Sequence, residues 1–284
     1  NAGYSVHCGT RRIGSPPPPW LPQMQLVSLD WSSQETLRKA VAEMDCVVHL
    51  AAMNEIDSAK DPIGALWMNG VASALLLEAA VAAKVRRFIY FSTAHIYGAP
   101  LQGAIDETTL PRPQHPYAIT HKVAEDFVLA AHDQKRIKGV VLRLSNGFGA
   151  PMTPDVDRWT LLINDLCRQA VVAGKLTLHS AGTQLRDFIT LEDVSRAVIH
   201  MLRLGATDLG DGLFNLGGDR SASIFSMTEL VAARWKHLTG KELPIFRPEP
   251  SAGEPAPLAY SCQKIKATGF ALTSNVIQEV DDTL

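Results

Sequence analysis

The hydrophobic positions of the chain alternate between short continuous runs and longer helical patterns. Residues 45–51 and 85–92 each contain a run of consecutive apolar positions, as a parallel strand covered on both faces requires. The patterns of residues 4–10, 24–29, 139–144 and 213–216 also predict strands. Residues 67–83 and 117–132 predict helices, and the first of them is apolar on nearly every face. Strands and helices that alternate in this way indicate an α/β fold with a doubly wound parallel sheet.

Beyond Gly149 the pattern changes to shorter elements. It predicts helices over 159–173, 193–204 and 226–240, and short strands near Leu176 and Phe188. From Pro244 onward the many prolines predict a loop-rich segment. We therefore expect a smaller C-terminal α/β lobe that is interleaved with the sheet, and we divide the chain into domains 1–150 and 151–284.

Two helix starts are predicted from capping boxes, in which a serine is followed three residues later by a glutamate. One pairs Ser32 with Glu35, and the other pairs Ser226 with Glu229. No apolar run is expected to reach the roughly 20 residues that cross a bilayer. No charged and then apolar signal segment opens the chain either, so we expect a cytoplasmic protein without a membrane partner.

Composition excludes several classes of function. The chain has 284 residues, 46% of them hydrophobic and 20% charged, with a formal net charge of −2. Such a balance, with Lys and Arg scattered, argues against a nucleic-acid partner. Cys8, Cys46, Cys167 and Cys262 are far apart and form no CxxC pair, so we expect no metal site and no disulfide framework.

Six short segments occur in the order and at the separations of a known family. They are residues 49–52 (HLAA), Asn69 with 75–80 (LLLEAA), 91–98 (FSTAHIYG), 117–120 (YAIT), 142–146 (LRLSN) and 186–188 (RDF). Together they resemble the extended short-chain dehydrogenase/reductase family, and within it the nucleotide-sugar epimerases and dehydratases. The resemblance runs from Tyr4 to about Phe270.

The resemblance implies a Rossmann-type domain that holds NAD or NADP, followed by a lobe for a nucleotide sugar. The glycine loop that receives the pyrophosphate in the family is absent from this sequence. We attribute its absence to residues that would precede Asn1. The alternative is a protein that has lost its pyrophosphate site.

Arg11 and Arg12 lie where relatives specific for NAD would carry an acidic residue. Two guanidinium groups suit a 2′-phosphate, which favours NADP over NAD; the alternative is a pair of solvated arginines. The resemblance places Asp30 at the adenine. It implies further cofactor contacts at Leu50, Ala51, Ala52, Asn69, Ser92, Tyr117, His121 and Leu144.

Catalysis is expected to centre on Tyr117, which the resemblance implies is the base for a sugar hydroxyl. An unperturbed phenol ionises near pH 10, and in the family a lysine one helical turn later supplies positive charge and holds the nicotinamide ribose. Here that position is His121, while Lys122 leaves the helix about 100° away. His121 is expected to clamp the ribose and, if protonated, to assist Tyr117. A catalytically silent relative is the alternative.

Four other residues complete the expected site. The resemblance assigns Thr93 to the reacting sugar oxygen, and Asn146 and Arg186 to the nucleotide diphosphate. Dehydratases carry Asp-Glu after the threonine, whereas this chain has Ala94-His95, so C4 epimerisation or keto-sugar reduction is favoured over dehydration. His95 is either a substrate contact or a structural histidine. The helices at 67–83 and 117–132 resemble those that form a dimer interface in the family, which implies a homodimer.

Overall fold

The computed structural model of the protein describes residues 2–10, 18–19, 21–156, 158–250 and 255–284. The strands are β1 (His7–Thr10), β2 (Gln25–Ser28), β3 (Cys46–His49), β4 (Arg87–Thr93), β5 (Gly103–Ile105), β6 (Lys138–Leu144), β7 (Asn146–Phe148), β8 (Leu176–Thr177), β9 (Leu185–Thr190), β10 (Leu213–Leu216), β11 (Ser221–Ser223), β12 (Ile245–Phe246) and β13 (Leu258–Tyr260). The α-helices are α1 (Gln34–Val41), α2 (Glu55–Lys60), α3 (Pro62–Ala65), α4 (Ala72–Ala82), α5 (Pro116–Asp133), α6 (Leu162–Ala173), α7 (Leu191–Arg203), α8 (Ile224–Thr239), α9 (Gln263–Ala267) and α10 (Val276–Thr283). A π-helical turn (Leu66–Val71) joins α3 to α4, and a 3-10 turn (Ala94–Tyr97) follows β4.

One compact unit comprises Asn1–Ala99, Pro111–Arg143 and Ile199–Phe214, and we call it unit 1. Its sheets have the strand orders β1-β2 and β10-β6-β4-β3. Strand β1 pairs in parallel with β2, and β3 pairs in parallel with β4. Strands and helices alternate along this part of the chain, so the predicted α/β class with parallel strands is confirmed.

The core of unit 1 lies around strands β4 and β6. Phe88, Ile89 and Tyr90 of β4 are at most 1% exposed, and Val140 and Val141 of β6 are fully buried. Burial of consecutive residues means that both faces of these strands are covered, as their continuous apolar runs predict.

The helical segment before β4 is longer than its pattern predicts. It begins at Pro62 rather than near residue 67, because the carboxylate of Asp61 accepts a hydrogen bond of 2.8 Å from the Gly64 amide and proline suits the first helical position. The whole segment, Pro62–Ala82, has 21 residues and is long and apolar enough to cross a membrane. The expectation that no run reaches this length is therefore wrong. Half of its most apolar window is buried in the protein, as in a core helix, so this is weak evidence for a membrane span.

Both predicted capping boxes are wrong. The cap of α1 is Ser33, whose side chain accepts from the Thr36 amide, and Ser32 instead donates its hydroxyl to Asp30 at 2.6 Å. Helix α8 begins before Ser226, because the Ser223 side chain accepts the Ser226 amide at 2.9 Å. In each case another serine within three residues offers the same capping chemistry and is the one that the structure uses.

The other compact unit comprises Pro100–Leu110, Leu144–Val198 and Asn215–Leu284, and we call it unit 2. Its sheets are β11-β9-β7, β12-β8 and β13-β5. Phe148, Leu166 and Cys167 belong to its core, and each is at most 1% exposed. The segment after Pro244 is less irregular than predicted, since it contains β12, β13, α9 and α10. The domain boundary at residue 150 stays a prediction.

Candidate active site

Helix α5 sets the position of Tyr117 within unit 1. The helix starts at Pro116, and its cap is His115, whose Nδ1 accepts a hydrogen bond of 3.2 Å from the Tyr117 amide. Tyr117 is half-buried in the second helical position. One turn further along, the centre of the His121 ring lies 4.3 Å from that of Tyr117, with an angle of 57° between the planes. The two side chains thus share one face of the helix.

His121 is buried and uncharged. It is 3% exposed, and its Nδ1 lies 2.7 Å from the hydroxyl of Tyr90 on strand β4. Burial, with a smaller contribution from His49, lowers the pKa of His121 to about 3, and the backbone carbonyl of Phe91 offsets this only in part. At neutral pH the side chain therefore supplies no positive charge to Tyr117. Its Nε2 is also buried and has no hydrogen-bond partner among the residues that the structure describes.

A second buried histidine, His49, ends strand β3 beside this group. Its Nε2 lies 2.8 Å from the hydroxyl of Ser73, and the centre of its ring lies 5.7 Å from that of Tyr90. Burial lowers the pKa of His49 to about 4. The sequence marks His49 as part of an apolar run and of the 49–52 segment, but its place beside Tyr90 is visible in the structure alone.

A buried ion pair lies one turn beyond His121. Arg143 of β6 donates to both carboxylate oxygens of Glu125, with Nε 3.1 Å from Oε2, and the two side chains are 3% and 0% exposed. Ser92 of β4 donates its hydroxyl to the same carboxylate at 2.9 Å, and Nη1 of Arg143 donates to the Tyr97 hydroxyl at 2.7 Å. Sequence reasoning missed Glu125 and Arg143. The sequence did offer one signal. Glu125 follows Tyr117 and His121 at a spacing of four residues, which places the three side chains along one side of the helix.

Thr93 occupies the last position of β4 and is 5% exposed. Its hydroxyl oxygen accepts a hydrogen bond of 3.2 Å from the His95 amide, which opens the 3-10 turn. The oxygen is thereby fixed while the hydroxyl proton can still be donated. Ala94 is buried, and His95 is half-buried. The position that follows Thr93 thus presents no acid or base.

Lys122 does not replace the family lysine in this structure. Its ammonium group pairs with Asp126 and lies 3.9 Å from Oε1 of Glu125. The side chain is 24% exposed and is directed along the helix toward these carboxylates. The expectation that it faces away from the Tyr117 position agrees with these contacts.

The predicted cofactor residues after β2 and β3 are exposed. Leu50 is 67% exposed, and Ala51 and Ala52 are exposed beside it. Asp30 is exposed as well, and hydrogen bonds from the hydroxyl and amide of Ser32 lower the pKa of its carboxyl. An apolar, small-residue edge that follows a parallel strand suits a dinucleotide. Arg11 and Arg12 lie outside the described residues.

Asn69 is fully buried in the π-helical turn, and its amide joins two segments. Its Oδ1 accepts a hydrogen bond of 2.7 Å from the Met53 amide, and its Nδ2 donates to the Thr120 hydroxyl at 3.0 Å. π-Helical turns occur frequently at functional sites. These bonds give Asn69 a supporting role, and its direct contact with a cofactor stays a prediction.

The predicted diphosphate residues belong to unit 2. Asn146 donates its amide to the backbone oxygen of Asp187 at 2.9 Å. Asp187 is fully buried and accepts from Ser145 at 2.6 Å and from the Gly218 amide at 2.7 Å, while burial raises the pKa of its carboxyl. Arg186 is half-buried, which lowers the pKa of its guanidinium group, and no acidic side chain pairs with it within the described ranges. A desolvated arginine of this kind suits an anion.

The remaining predictions concern Leu144 and metal ligands. Leu144 is half-buried at the end of β6. Among the residues that the structure describes, no group of three or more His, Cys, Asp or Glu side chains could hold a metal ion. The four cysteines are free.

The chain is similar to proteins of known function. A family model, the NAD dependent epimerase/dehydratase family, matches residues 1–217. The UDP-glucose 4-epimerase of Lacticaseibacillus casei is 30% identical over 238 residues, which are 79% of this chain and 70% of the relative. The human dTDP-D-glucose 4,6-dehydratase is 28% identical over 190 residues, 66% of this chain and 51% of the relative. The chain thus spans about half the length of that relative.

Solved structures are similar along nearly the whole chain. The UDP-glucuronic acid 4-epimerase of Bacillus cereus, in complex with UDP-glucuronic acid and NAD, is 25% identical with a TM-score of 0.77, covering 100% of this chain and 90% of that one. RMD from Pseudomonas aeruginosa, complexed with NADPH, is 22% identical with a TM-score of 0.74, covering 91% and 88%. The second likeness concerns the fold alone, and together they confirm the Rossmann-type fold class. With a family match over residues 1–217 and a relative at 30% identity, the chain belongs to the NAD dependent epimerase/dehydratase family.

Proposed function

We propose that the protein is an NAD(P)-dependent nucleotide-sugar epimerase or 4-keto-sugar reductase. The observation that carries this proposal is the placement of two hydroxyl side chains, Thr93 and Tyr117, on β4 and α5, which pack against each other within unit 1. Thr93 ends β4 with its oxygen fixed by the His95 amide, and Tyr117 lies in the first turn of α5. Family membership supplies the reaction class, because a bound nicotinamide provides hydride transfer to or from a sugar carbon.

In this proposal Tyr117 takes and returns the proton of the sugar hydroxyl, and Thr93 donates a hydrogen bond to the same oxygen. A general base works best with a pKa near the operating pH, so the phenol must be made more acidic. His121 is neutral and helps by hydrogen bonding rather than by charge. Ala94 and half-buried His95 provide no Asp-Glu pair, which favours epimerisation or reduction over loss of water.

The substrate side of the proposal rests on unit 2. Arg186 would bind a nucleotide diphosphate by charge-assisted hydrogen bonds, and its half-buried guanidinium group without an acidic partner in the described parts supports this. Asn146 would contribute to the same site. Relatives named as acting on dTDP-glucose and UDP-glucose make these nucleotides the first candidates.

The cofactor proposed is NADP, with NAD as the second candidate. Arg11 and Arg12 support NADP by their charge and place in the sequence. The exposed residues Leu50–Ala52 after β3 suit either dinucleotide. We expect binding titrations to give a lower Kd for NADP, and Arg11→Ala with Arg12→Ala to remove that preference while NAD binding stays similar.

One assay separates this function from its rival. Purified protein is mixed with UDP-, GDP- and dTDP-sugars and either nicotinamide, and epimer formation and cofactor oxidation are measured. Turnover of at least one sugar supports the proposal. Normal cofactor binding with no turnover of any sugar would contradict it and favour a catalytically silent sensor or scaffold. The neutral His121 is the observation that favours this rival, because it stands where the family has a charged lysine. That rival predicts that His121→Lys raises activity from near zero.

A third hypothesis is a reductase that acts on aldehydes or ketones that carry no nucleotide. The Arg186→Ala variant tests it. We expect this variant to raise the KM for nucleotide sugars at least tenfold. A reductase of the third kind would keep its KM, because its substrate carries no diphosphate.

We also propose a homodimer in the cytoplasm. Large apolar side chains are exposed on the helical segment 62–82 and on α5, which belong to the same unit. They are Ile63 (77% exposed), Trp67 (41%), Val71 (43%), Ile119 (43%) and Phe127 (51%). Exposed apolar groups on neighbouring helices favour burial against a second copy. The free buried thiols of Cys167 and Cys262 support a reducing compartment.

A further inference from the structure

The Nε2 atom of His121 is a buried polar atom without a partner among the described residues, one helical turn from Tyr117. Such an atom is costly to leave unsatisfied, by about 1–3 kcal/mol, and is rare in folded proteins. Its neighbour Nδ1 lies 2.7 Å from the Tyr90 hydroxyl. What Nε2 can bind depends on which of the two ring nitrogens carries the hydrogen.

Two arrangements of the Tyr90–His121 hydrogen bond are possible. If Nδ1 carried the hydrogen and donated it to Tyr90, then the phenol proton would have no acceptor in the described part of the chain, and Nε2 would be a bare lone pair. If Tyr90 donates to Nδ1, then its proton is satisfied and only the Nε2 hydrogen remains. The second arrangement leaves fewer buried polar groups unpaired and is the one that the contacts favour.

Tyr90 is suited to donate a hydrogen bond to Nδ1 of His121, because it is 1% exposed and packed between two histidines. Burial raises the pKa of its phenol well above the ordinary value, so the hydroxyl keeps its proton. The groups that face the pair are His49 of β3, Tyr117 and Glu125 of α5, and the backbone carbonyl of Phe91 on β4, which can only accept a hydrogen bond. Neither His49, which is neutral, nor the anionic carboxylate of Glu125 can replace Tyr90 as donor to Nδ1.

We propose that Tyr90 is a positioning residue that holds His121 with its hydrogen on Nε2, so that an uncharged donor stands one turn from Tyr117. This inference rests on the proposed function and deepens it. The donor would take an oxygen acceptor of the bound cofactor, such as a hydroxyl of the nicotinamide ribose. In this chain a hydrogen bond donated by Nε2 of His121 would thus hold the ribose, which in the family is held by a charged lysine.

The tautomer can be measured without any turnover. Long-range proton–nitrogen NMR spectra of protein labelled with 15N-histidine distinguish the two neutral forms, and the His121 signals are assigned by their loss in His121→Gln. At pH 7 we expect the pattern of a hydrogen on Nε2, unchanged down to about pH 5. A hydrogen on Nδ1, or a charged ring, would overturn the inference even if the enzyme proves active.

Coupling between the two residues gives a second test. Tyr90→Phe is expected to weaken NADP or NAD binding roughly fivefold to tenfold, the effect of one lost hydrogen bond. In the His121→Gln background, the same substitution should change the cofactor Kd less than twofold, because the histidine through which Tyr90 acts is no longer present. Equal effects in both backgrounds would contradict a role through His121.

A matched control separates positioning from general stability. Tyr260 is also buried, and its hydroxyl lies 3.1 Å from the amide oxygen of Asn215 in unit 2. Tyr260→Phe should leave cofactor binding and the His121 spectrum unchanged. Failure of sugar turnover in the wild type would count against the proposed function, whereas the tautomer and binding results decide this inference separately.

Discussion

Nε of Arg143 donates a hydrogen bond of 3.1 Å to Oε2 of Glu125, and both side chains lie inside unit 1 with at most 3% exposure. Two opposite charges at this depth are stable only as a pair. Because Ser92 also donates to Glu125, the pair joins strand β4, strand β6 and helix α5. Thr93 and Tyr117 belong to two of these elements, so the pair fixes the frame that carries both hydroxyl groups.

The first prediction concerns this pair. Glu125→Gln should lower the free energy of unfolding by roughly 3–5 kcal/mol, because it leaves the buried Arg143 charge uncompensated. Urea unfolding at pH 7 measures the loss. As a control, Glu78→Gln breaks the exposed Glu78–Arg136 pair and should lower the free energy of unfolding far less than Glu125→Gln does. Similar losses in the two variants would show that burial of the pair is not what matters.

The second prediction concerns proton transfer. Tyr117→Phe should lower kcat by about a hundredfold to ten-thousandfold, because it removes the proposed base. Cofactor Kd should change far less than kcat does, and steady-state kinetics with parallel binding titrations measure both. Thr93→Val is expected to lower kcat in the same direction. An active Tyr117→Phe enzyme would remove Tyr117 from the mechanism.

The third prediction is loss of stability in mild acid. The pKa values of His49 and His121 are lowered in the folded state to about 4 and about 3, so the unfolded chain, with an ordinary value near 6.5, binds protons first as the pH falls. Their stabilising contribution is complete above about pH 6.5 and is lost progressively toward pH 4 and pH 3. Between pH 7 and pH 5 each histidine should reduce the free energy of unfolding by about 2 kcal/mol.

Urea unfolding at pH 7 and pH 5 measures this slope. His121→Gln and His49→Gln should each flatten it by about half of the histidine contribution, whatever they do to stability at pH 7. The exposed carboxylates common to all the variants provide the background. If both variants kept the wild-type slope, then the two histidines would not be the acid-sensitive groups.

The fourth prediction concerns the proposed dimer. Trp67→Glu places a charge on the exposed apolar side of the segment 62–82 and should shift the protein to a monomer in sedimentation experiments at micromolar concentration. Val172→Glu is the matched control, since Val172 is 77% exposed on α6 in the other unit. A dimer that survives the Trp67 change but not the Val172 change would place the interface elsewhere.

The fold could be predicted largely because its signals are local. Apolar runs such as 85–92 gave β4, and the helical pattern of 117–132 gave α5 to within one residue at each end. Helix starts were less predictable, because Ser32 and Ser33 offer the same capping chemistry in adjacent positions. Helix α10 was missed, since the prolines before it indicate loop and its eight residues carry a weak pattern.

Candidate site residues could be named from the sequence only where a single short motif contains them. Thr93 and Tyr117 follow from short segments, and so does the unusual His121. Tyr90 and Arg143 could not be predicted, because each acts through a partner on another element. The charge state of His121 also required the structure, since sequence does not reveal how far a side chain is removed from water.

The amide of Asn69 has a consequence for motion. It holds the Met53 backbone at 2.7 Å on one side and the Thr120 hydroxyl at 3.0 Å on the other, and Thr120 precedes His121 in the chain. The segment after β3 and the first turns of α5 are therefore held together through one buried amide, and neither can move away without breaking a hydrogen bond of Asn69. Asn69 thus acts as a tie between distant parts of the sequence, since Thr120 lies 51 residues beyond it.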